Sequence, residues 1–262
     1  MSAGGGEGPK LHRSGEFLGS GADGEVRLAG GFAEKYFHRR HVYEHEARVL
    51  RQLPAHVTLI RVVAEDADRS TLRFRRYCCD LMQRLLSDKE VAAEEVCIGL
   101  TTALTQCHRV GVVHRDIKPE NVLIDYDGTP VLCDFSKALF APEPISVHFA
   151  GTRGYASPEA IAGRCCTAND VWSAAVVYYC VVERMLPFDS DDEHTGARDD
   201  HVVPADKLEF HSSRWCGDFE RRLRAQLGQC LRVEPDARPS ARCMLTTMRS
   251  WNAPLGTLVQ SV

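Results

Sequence analysis

The sequence predicts an α+β fold of two lobes, a small β-rich one followed by a larger helical one. Two observations carry that expectation. Strand signals dominate from Phe17 to about Tyr77, and helical periodicity rich in Ala, Leu and Ile takes over after Leu81. A length of 262 residues is ordinary for a compact two-lobed domain and long for a single simple one.

Each element has a local reason. Residues 1–14 are Gly-rich and aperiodic and read as a flexible tail. Glu25-Val-Arg-Leu-Ala29, Gly30-Gly31 and Phe32-Ala-Glu-Lys-Tyr-Phe37 make the pattern of a hairpin with a tight Gly-Gly turn. From His41 to Leu53 the apolar Val42, Val49, Leu50 and Leu53 suit an amphipathic helix, and Pro54 closes it. Further strands are expected over 59–64 and 71–77, joined by a polar turn over 66–70. Helices are expected over 91–109, 171–184, 218–230 and 240–250. These boundaries give a tail over 1–14, an N-lobe over 15–77, and a hinge with C-lobe over 78–262, a single working domain covering 15–255.

Composition narrows the function classes. With 44% hydrophobic and 26% charged residues the chain can bury a sizeable core. A net charge of -4 argues against a general nucleic-acid-coating protein, which needs a net basic face. The 11 cysteines are odd in number, include the adjacent pairs Cys78-Cys79 and Cys165-Cys166, and never show C-x-x-C spacing. Free thiols in a reducing compartment are therefore expected, rather than a disulfide or metal framework. The stretch from Met1 to Lys10 lacks the apolar run of a signal peptide and has no Gly at position 2. The longest apolar stretch, Val171 to Val182, is too short to span a bilayer as a helix. The expectation is a soluble intracellular protein, cytoplasmic or nuclear, monomeric and without a membrane partner.

Gly19-Ser-Gly-Ala-Asp-Gly24, followed by Glu25-Val26, gives G-x-G-x-x-G-x-V between two strand-like segments. Glycines there let backbone N–H groups approach phosphates without a Cβ in the way. By chance such a pattern turns up about one time in ten in a chain this rich in Gly, so it carries little alone. His114-Arg-Asp-Ile-Lys-Pro-Glu-Asn121 is far more specific. Six of its residues fit one catalytic-loop pattern, with a chance recurrence on the order of 10⁻⁸ per position. It resembles the catalytic loop of eukaryotic-type protein kinases. The resemblance implies ATP as phosphoryl donor, Mg²⁺, and a protein substrate. It also implies that Asp116 takes the proton of the substrate hydroxyl, that Asn121 holds Mg²⁺, and that Lys118 contacts the γ-phosphate and marks a Ser/Thr-type enzyme. Asp134-Phe135-Ser136 resembles the family's D-F-G, keeping the Mg²⁺-binding carboxylate of Asp134. Ser in place of Gly limits access to φ > 0 and bears on flipping of this loop more than on metal binding.

The same resemblance extends along the chain. Leu18, Gly19, Ser20, Gly21, Ala22, Asp23, Gly24 and Val26 would cover the nucleotide. Lys35, the only lysine between Lys10 and Lys89, would pair with the α- and β-phosphates, although it stands unusually close behind Val26. Its carboxylate partner should be Glu46, which fits the family's spacing better than Glu44, with a plain solvated helix face as the alternative. Phe74 would be the gatekeeper beside the adenine pocket, Arg76 and Tyr77 would offer backbone groups to adenine, and Asp80 would reach the ribose. Gly151-Thr-Arg-Gly-Tyr-Ala-Ser-Pro-Glu159 resembles the end of an activation segment that forms a substrate platform. Within it Thr152 would bond the catalytic Asp116, and Glu159 would pair with the distant Arg238. Asp170 would brace the backbone of the catalytic loop.

Every charged group that phosphoryl transfer requires is present, so an active Ser/Thr kinase is the leading reading. A kinase-fold binding module is the alternative, supported by the short N-lobe and Ser136. A small-molecule phosphotransferase fits less well with the intact 151–159 segment. The trimmed N-lobe and bare C-terminus resemble compact viral kinases. Arg115 suggests ordering of the activation segment by phosphorylation, yet between Ser136 and Gly151 only Ser146 offers a further hydroxyl, so this short segment is expected to order without it. The acidic 189–200 region reads as a solvated loop, with selection of basic substrates as the sharper alternative.

Overall fold

The computed structural model describes residues 15–87, 89–141, 144–186, 208–211 and 213–251. The expected tail and the acidic 189–200 region lie outside the described residues. The chain divides into two compact units, Met1–Ala47 with Arg61–Arg76, and Arg48–Ile60 with Tyr77–Val262.

The first unit is built on a five-stranded antiparallel sheet. Its strands are β1 (Glu16–Ser20), β2 (Gly24–Ala29), β3 (Phe32–Phe37), β4 (Val62–Asp66) and β5 (Thr71–Arg75), in the order β1-β2-β3-β5-β4. The β2–β3 hairpin turns on Gly30 and Gly31, whose φ angles of 57° and 84° any side chain would resist. Gly24 is required for space. A Cβ there would lie 2.3 Å from the Tyr36 carbonyl oxygen. Helix α1 (Arg40–Gln52) ends two residues before Pro54, as its sequence requires, and its residues up to Ala47 belong to this unit.

The expected strand over 59–64 is divided. Its first residues pair within the second unit, where Ile60 N–H donates to the Leu132 carbonyl at 2.9 Å, and β4 begins only at Val62. Periodicity could not show this, because both halves are apolar and only their partners differ.

In the second unit, the stretch from Tyr77 onward opens with the short β6 (Cys79–Asp80) and α2 (Leu81–Leu86). Helix α2 was not expected from the sequence; the Asp80 carboxylate starts it by accepting the Gln83 N–H at 2.7 Å. Next come α3 (Ala93–Arg109), β7 (Val112–Val113), β8 (Val122–Ile124), β9 (Pro130–Leu132), β10 (Leu139–Phe140) and β11 (Ile145–Ser146). The remainder is α4 (Pro158–Ile161), β12 (Arg164–Cys165), α5 (Thr167–Glu183), α6 (Asp218–Cys230) and α7 (Ala241–Ser250). Helix α5 starts four residues before the apolar run, because Asn169 accepts the Cys166 N–H at 2.7 Å and opens the helix there. It is buried along almost its whole length and forms the centre of this unit, with α3 packed against it and against α7. The hydroxyls of Thr101 and Tyr178 satisfy each other at 2.6 Å inside that core. Among the described residues no helix is long and apolar enough to cross a membrane.

Candidate active site

The 114–121 loop in the second unit is held from below by one buried carboxylate. Asp170, in the first turn of α5, accepts the backbone N–H groups of His114 and Arg115 at 2.9 Å each, and its Oδ2 lies 2.9 Å from His108 Nε2. Burial works to raise the Asp170 pKa, but these partners outweigh it and hold the carboxyl below its ordinary value. The loop is pinned elsewhere too: His114 Nε2 lies 2.9 Å from the Cys133 carbonyl, and its ring meets Phe135 edge-on.

This support presents Asp116, itself buried, to a ring of donors. Thr152 Oγ1 donates to Asp116 Oδ1 at 2.8 Å, and Lys137 Nζ donates to Oδ2 at 2.8 Å. Lys118 Nζ donates to Thr152 Oγ1 at 3.0 Å and stands 3.6 Å from Asp116 Oδ2. Burial pushes the Asp116 pKa up, yet Lys137, Thr152 and Lys118 together bring it below the ordinary value, so the carboxylate is ionised at neutral pH. An ionised carboxylate is the form that can accept a proton.

Asn121 and Asp134 are brought together by the β8–β9 hairpin, in which Val122 faces Leu132 and Cys133 N–H donates to the Asn121 carbonyl at 3.0 Å. Asn121 Nδ2 donates to the Asp116 carbonyl at 2.8 Å, so its amide oxygen is the atom it offers to a ligand. An amide oxygen and a carboxylate are hard donors of the type Mg²⁺ takes. The left-handed residue of the Asp134-Phe-Ser136 motif is Asp134 itself, at φ 59°, while Ser136 is not among the positive-φ residues. In this conformation the absent glycine is therefore not needed.

In the first unit Lys35 Nζ donates to Glu46 Oε2 at 2.7 Å, with Glu46 almost wholly buried. Glu44, the competing candidate, instead pairs with Arg40 on the exposed face of α1. Val26 faces Lys35 across the β2–β3 ladder. Leu18, Gly19 and Ser20 belong to β1, and Gly21 N–H donates to the Gly24 carbonyl at 2.9 Å to close the turn through Ala22 and Asp23. Phe74 is buried in β5, Arg76 is exposed at the end of this unit, and Tyr77 opens the next.

The segment beyond Thr152 is tied to the far end of the chain. Arg238 donates from Nη1 to Glu159 Oε1 at 2.6 Å and from Nη2 to Oε2 at 2.8 Å, with its side chain completely buried. The pair is the one the motifs predict. Sequence reasoning did not find Asn169, whose Nδ2 also donates to Glu159 Oε1 at 2.6 Å, nor Lys137, which no motif reserves. The signal for Lys137 is purely spatial.

The family profile of the protein kinase domain matches residues 13–248. The chain belongs to the protein kinase family. Its α+β architecture is that family's fold, and membership implies ATP as phosphoryl donor, typically Mg²⁺, and protein substrates. Among curated proteins, CBL-interacting protein kinase 4 of Oryza sativa subsp. japonica is 36% identical over 156 residues, 57% of this chain and 32% of that protein. Serine/threonine-protein kinase PEPKR2 of Arabidopsis thaliana is 28% identical over 250 residues, 87% of this chain and 50% of the relative. Calcium-dependent protein kinase 9 of Oryza sativa subsp. japonica is 28% identical over 232 residues, 82% of this chain and 40% of its own length. This kinase-family chain thus spans half or less of the length of these relatives.

Proposed function

We propose that this chain is an active Ser/Thr protein kinase, with 15–255 as its working domain, moving the γ-phosphoryl group of ATP onto a protein hydroxyl. The observation that carries the reading is the setting of Asp116: buried, ionised, tied through Thr152 and flanked by Lys118. Asp116 accepts the substrate proton. Thr152 keeps the carboxylate oriented, and Lys118 presents positive charge where the transferring phosphoryl group carries negative charge. Asn121 and Asp134 would hold Mg²⁺, which would supply positive charge against the phosphates. Lys35, steadied by Glu46, pairs with the α- and β-phosphates, and the backbone from Leu18 to Val26 covers them. Phe74 serves as gatekeeper, Arg76 and Tyr77 bind adenine through their backbones, and Asp80 serves the ribose as well as capping α2. Thr152, Glu159 and Arg238 shape the platform on which the protein substrate lies. None of the eleven cysteines is in a disulfide, which suits an intracellular compartment.

The test is phosphate incorporation from ATP/Mg²⁺ into generic protein substrates by the wild type and by Asp116→Asn. The wild type should transfer and the variant should lose at least about 10³-fold. Equal incorporation in both defeats the assignment, and Mg²⁺-dependent nucleotide binding without turnover favours a binding module.

A further inference from the structure

Lys137 lies three residues past Asp134 and has no role in the transfer proposed above, yet it makes the closest cationic contact of Asp116 among the described residues. Its Nζ is 2.8 Å from Oδ2, against 3.6 Å for Lys118. Lys118 is turned toward Thr152, so the two lysines divide the work: Lys118 reaches the carboxylate through the Thr152 hydroxyl at Oδ1, and Lys137 holds Oδ2 directly.

The backbone that carries Lys137 is also anchored. Arg115 Nη1 donates to the Lys137 carbonyl at 3.3 Å, while Nη2 of the same guanidinium reaches the His148 carbonyl at 2.6 Å. Phe135 and Ala138, on either side, are fully buried, and Ala138 N–H closes a turn onto the Phe135 carbonyl at 3.1 Å. A lysine on a loose loop would form a weak, transient pair with a carboxylate. Here both the amine and its stem start from fixed points.

We propose that Lys137 is a positioning residue for phosphoryl transfer, fixing the second oxygen of Asp116 so that the carboxylate presents one orientation to the substrate hydroxyl. This rests on the kinase reading above. The terminal torsion of an Asp side chain is broad, and one tie at Oδ1 leaves it free to swing. A second tie at Oδ2 removes that freedom, and catalysis by positioning is sensitive to such freedom. The ammonium does not block the reaction, since a carboxylate oxygen has two lone pairs and Oδ2 can keep Lys137 while accepting a hydroxyl proton.

Steady-state kinetics with ATP/Mg²⁺ and a generic protein substrate should compare wild type, Asp116→Asn, Lys137→Met and Lys137→Arg. Lys137→Met is expected to lose about tenfold in kcat with the KM for ATP unchanged and the chain still folded at the assay temperature, and Lys137→Arg to recover most of that loss. Independently, in ¹⁵N-lysine NMR the ammonium signal that vanishes in Lys137→Met should lose its protection from exchange in Asp116→Ala. A Lys137→Met enzyme with wild-type or raised kcat, while Asp116→Asn is dead, overturns this inference alone; a raised kcat would mean that the ammonium obstructs Asp116. A Lys137 signal indifferent to Asp116→Ala also overturns it. A wild-type chain without transferase activity overturns the kinase reading and this inference with it.

Discussion

Replacing Arg238 with Met tests how the 152–159 segment is held. The guanidinium spends donors on both Glu159 oxygens and on the carbonyls of Arg232, Ala168 and Val233, at 2.6 to 3.1 Å, and stacks 4.8 Å above the Trp172 ring. Breaking a buried pair by removing one partner costs about 3 kcal/mol or more, and three carbonyls lose a donor as well, so the expected loss is about 4 kcal/mol. For a chain of this size that is a drop of roughly 10 °C in Tm. Glu159→Gln removes the charge and keeps one acceptor oxygen, but its NH₂ group is a donor set against a donor, so it should cost about 3 kcal/mol. The pH dependence has a definite sign. Burial pushes the Glu159 pKa up, but Arg238 and Ser157 outweigh it and hold the carboxyl below its ordinary 4.5. Its stabilising contribution is therefore complete above that value and is lost as pH falls through the depressed one. Thermal melts followed by circular dichroism at neutral pH and at stepwise lower pH give both quantities. A shift under about 3 °C for Arg238→Met, or a gap between wild type and Glu159→Gln that does not narrow in acid, would refute the reasoning.

Lys35→Met removes the ammonium beside the nearly buried Glu46 and should lower turnover at least about 100-fold, with weakened nucleotide binding measurable by calorimetry. Asp170→Ala strips the acceptor from the N–H groups of His114 and Arg115 in the 114–121 loop; kcat should fall about 100-fold or more and the melting temperature should drop with it. Ser146→Ala should keep activity within about twofold, because the segment is already tied down by the β11–β12 pairing and by Arg115 on the carbonyls of Lys137 and His148. Near-total loss of activity in that variant would show that a phosphorylated Ser146 is required.

Much of the chain is legible without coordinates where one residue type answers one local demand. The Gly30-Gly31 turn is such a case, since both positions take left-handed φ angles that few other residues tolerate. The helix over 218–230 is another, because its apolar positions recur at the helical period and nothing interrupts them. Elsewhere local signals were silent or ambiguous. Helix α2 is too short for periodicity to register, and residues 59–60 look the same whether they pair with β9 or continue into β4.

The aspartate proposed as catalytic, Asp116, shows where the division falls. From the sequence, the resemblance of the 114–121 and 134–136 motifs to the protein kinase family groups Asp116, Asn121 and Asp134 as one proposed set, because a motif is a run of particular chemical groups at particular spacings and can be read in one dimension. It also supplied both ends of the Glu159–Arg238 pair. Tertiary structure decided which groups surround Asp116 at hydrogen-bond range: Lys137 on one oxygen, Thr152 on the other, and Lys118 acting through Thr152. It also seated Lys35 on Glu46, the partner the sequence favours, and Glu44 on Arg40. The reason is physical. A charge is stabilised by whatever lies within a few ångströms of it, and that neighbourhood is set by how distant segments pack.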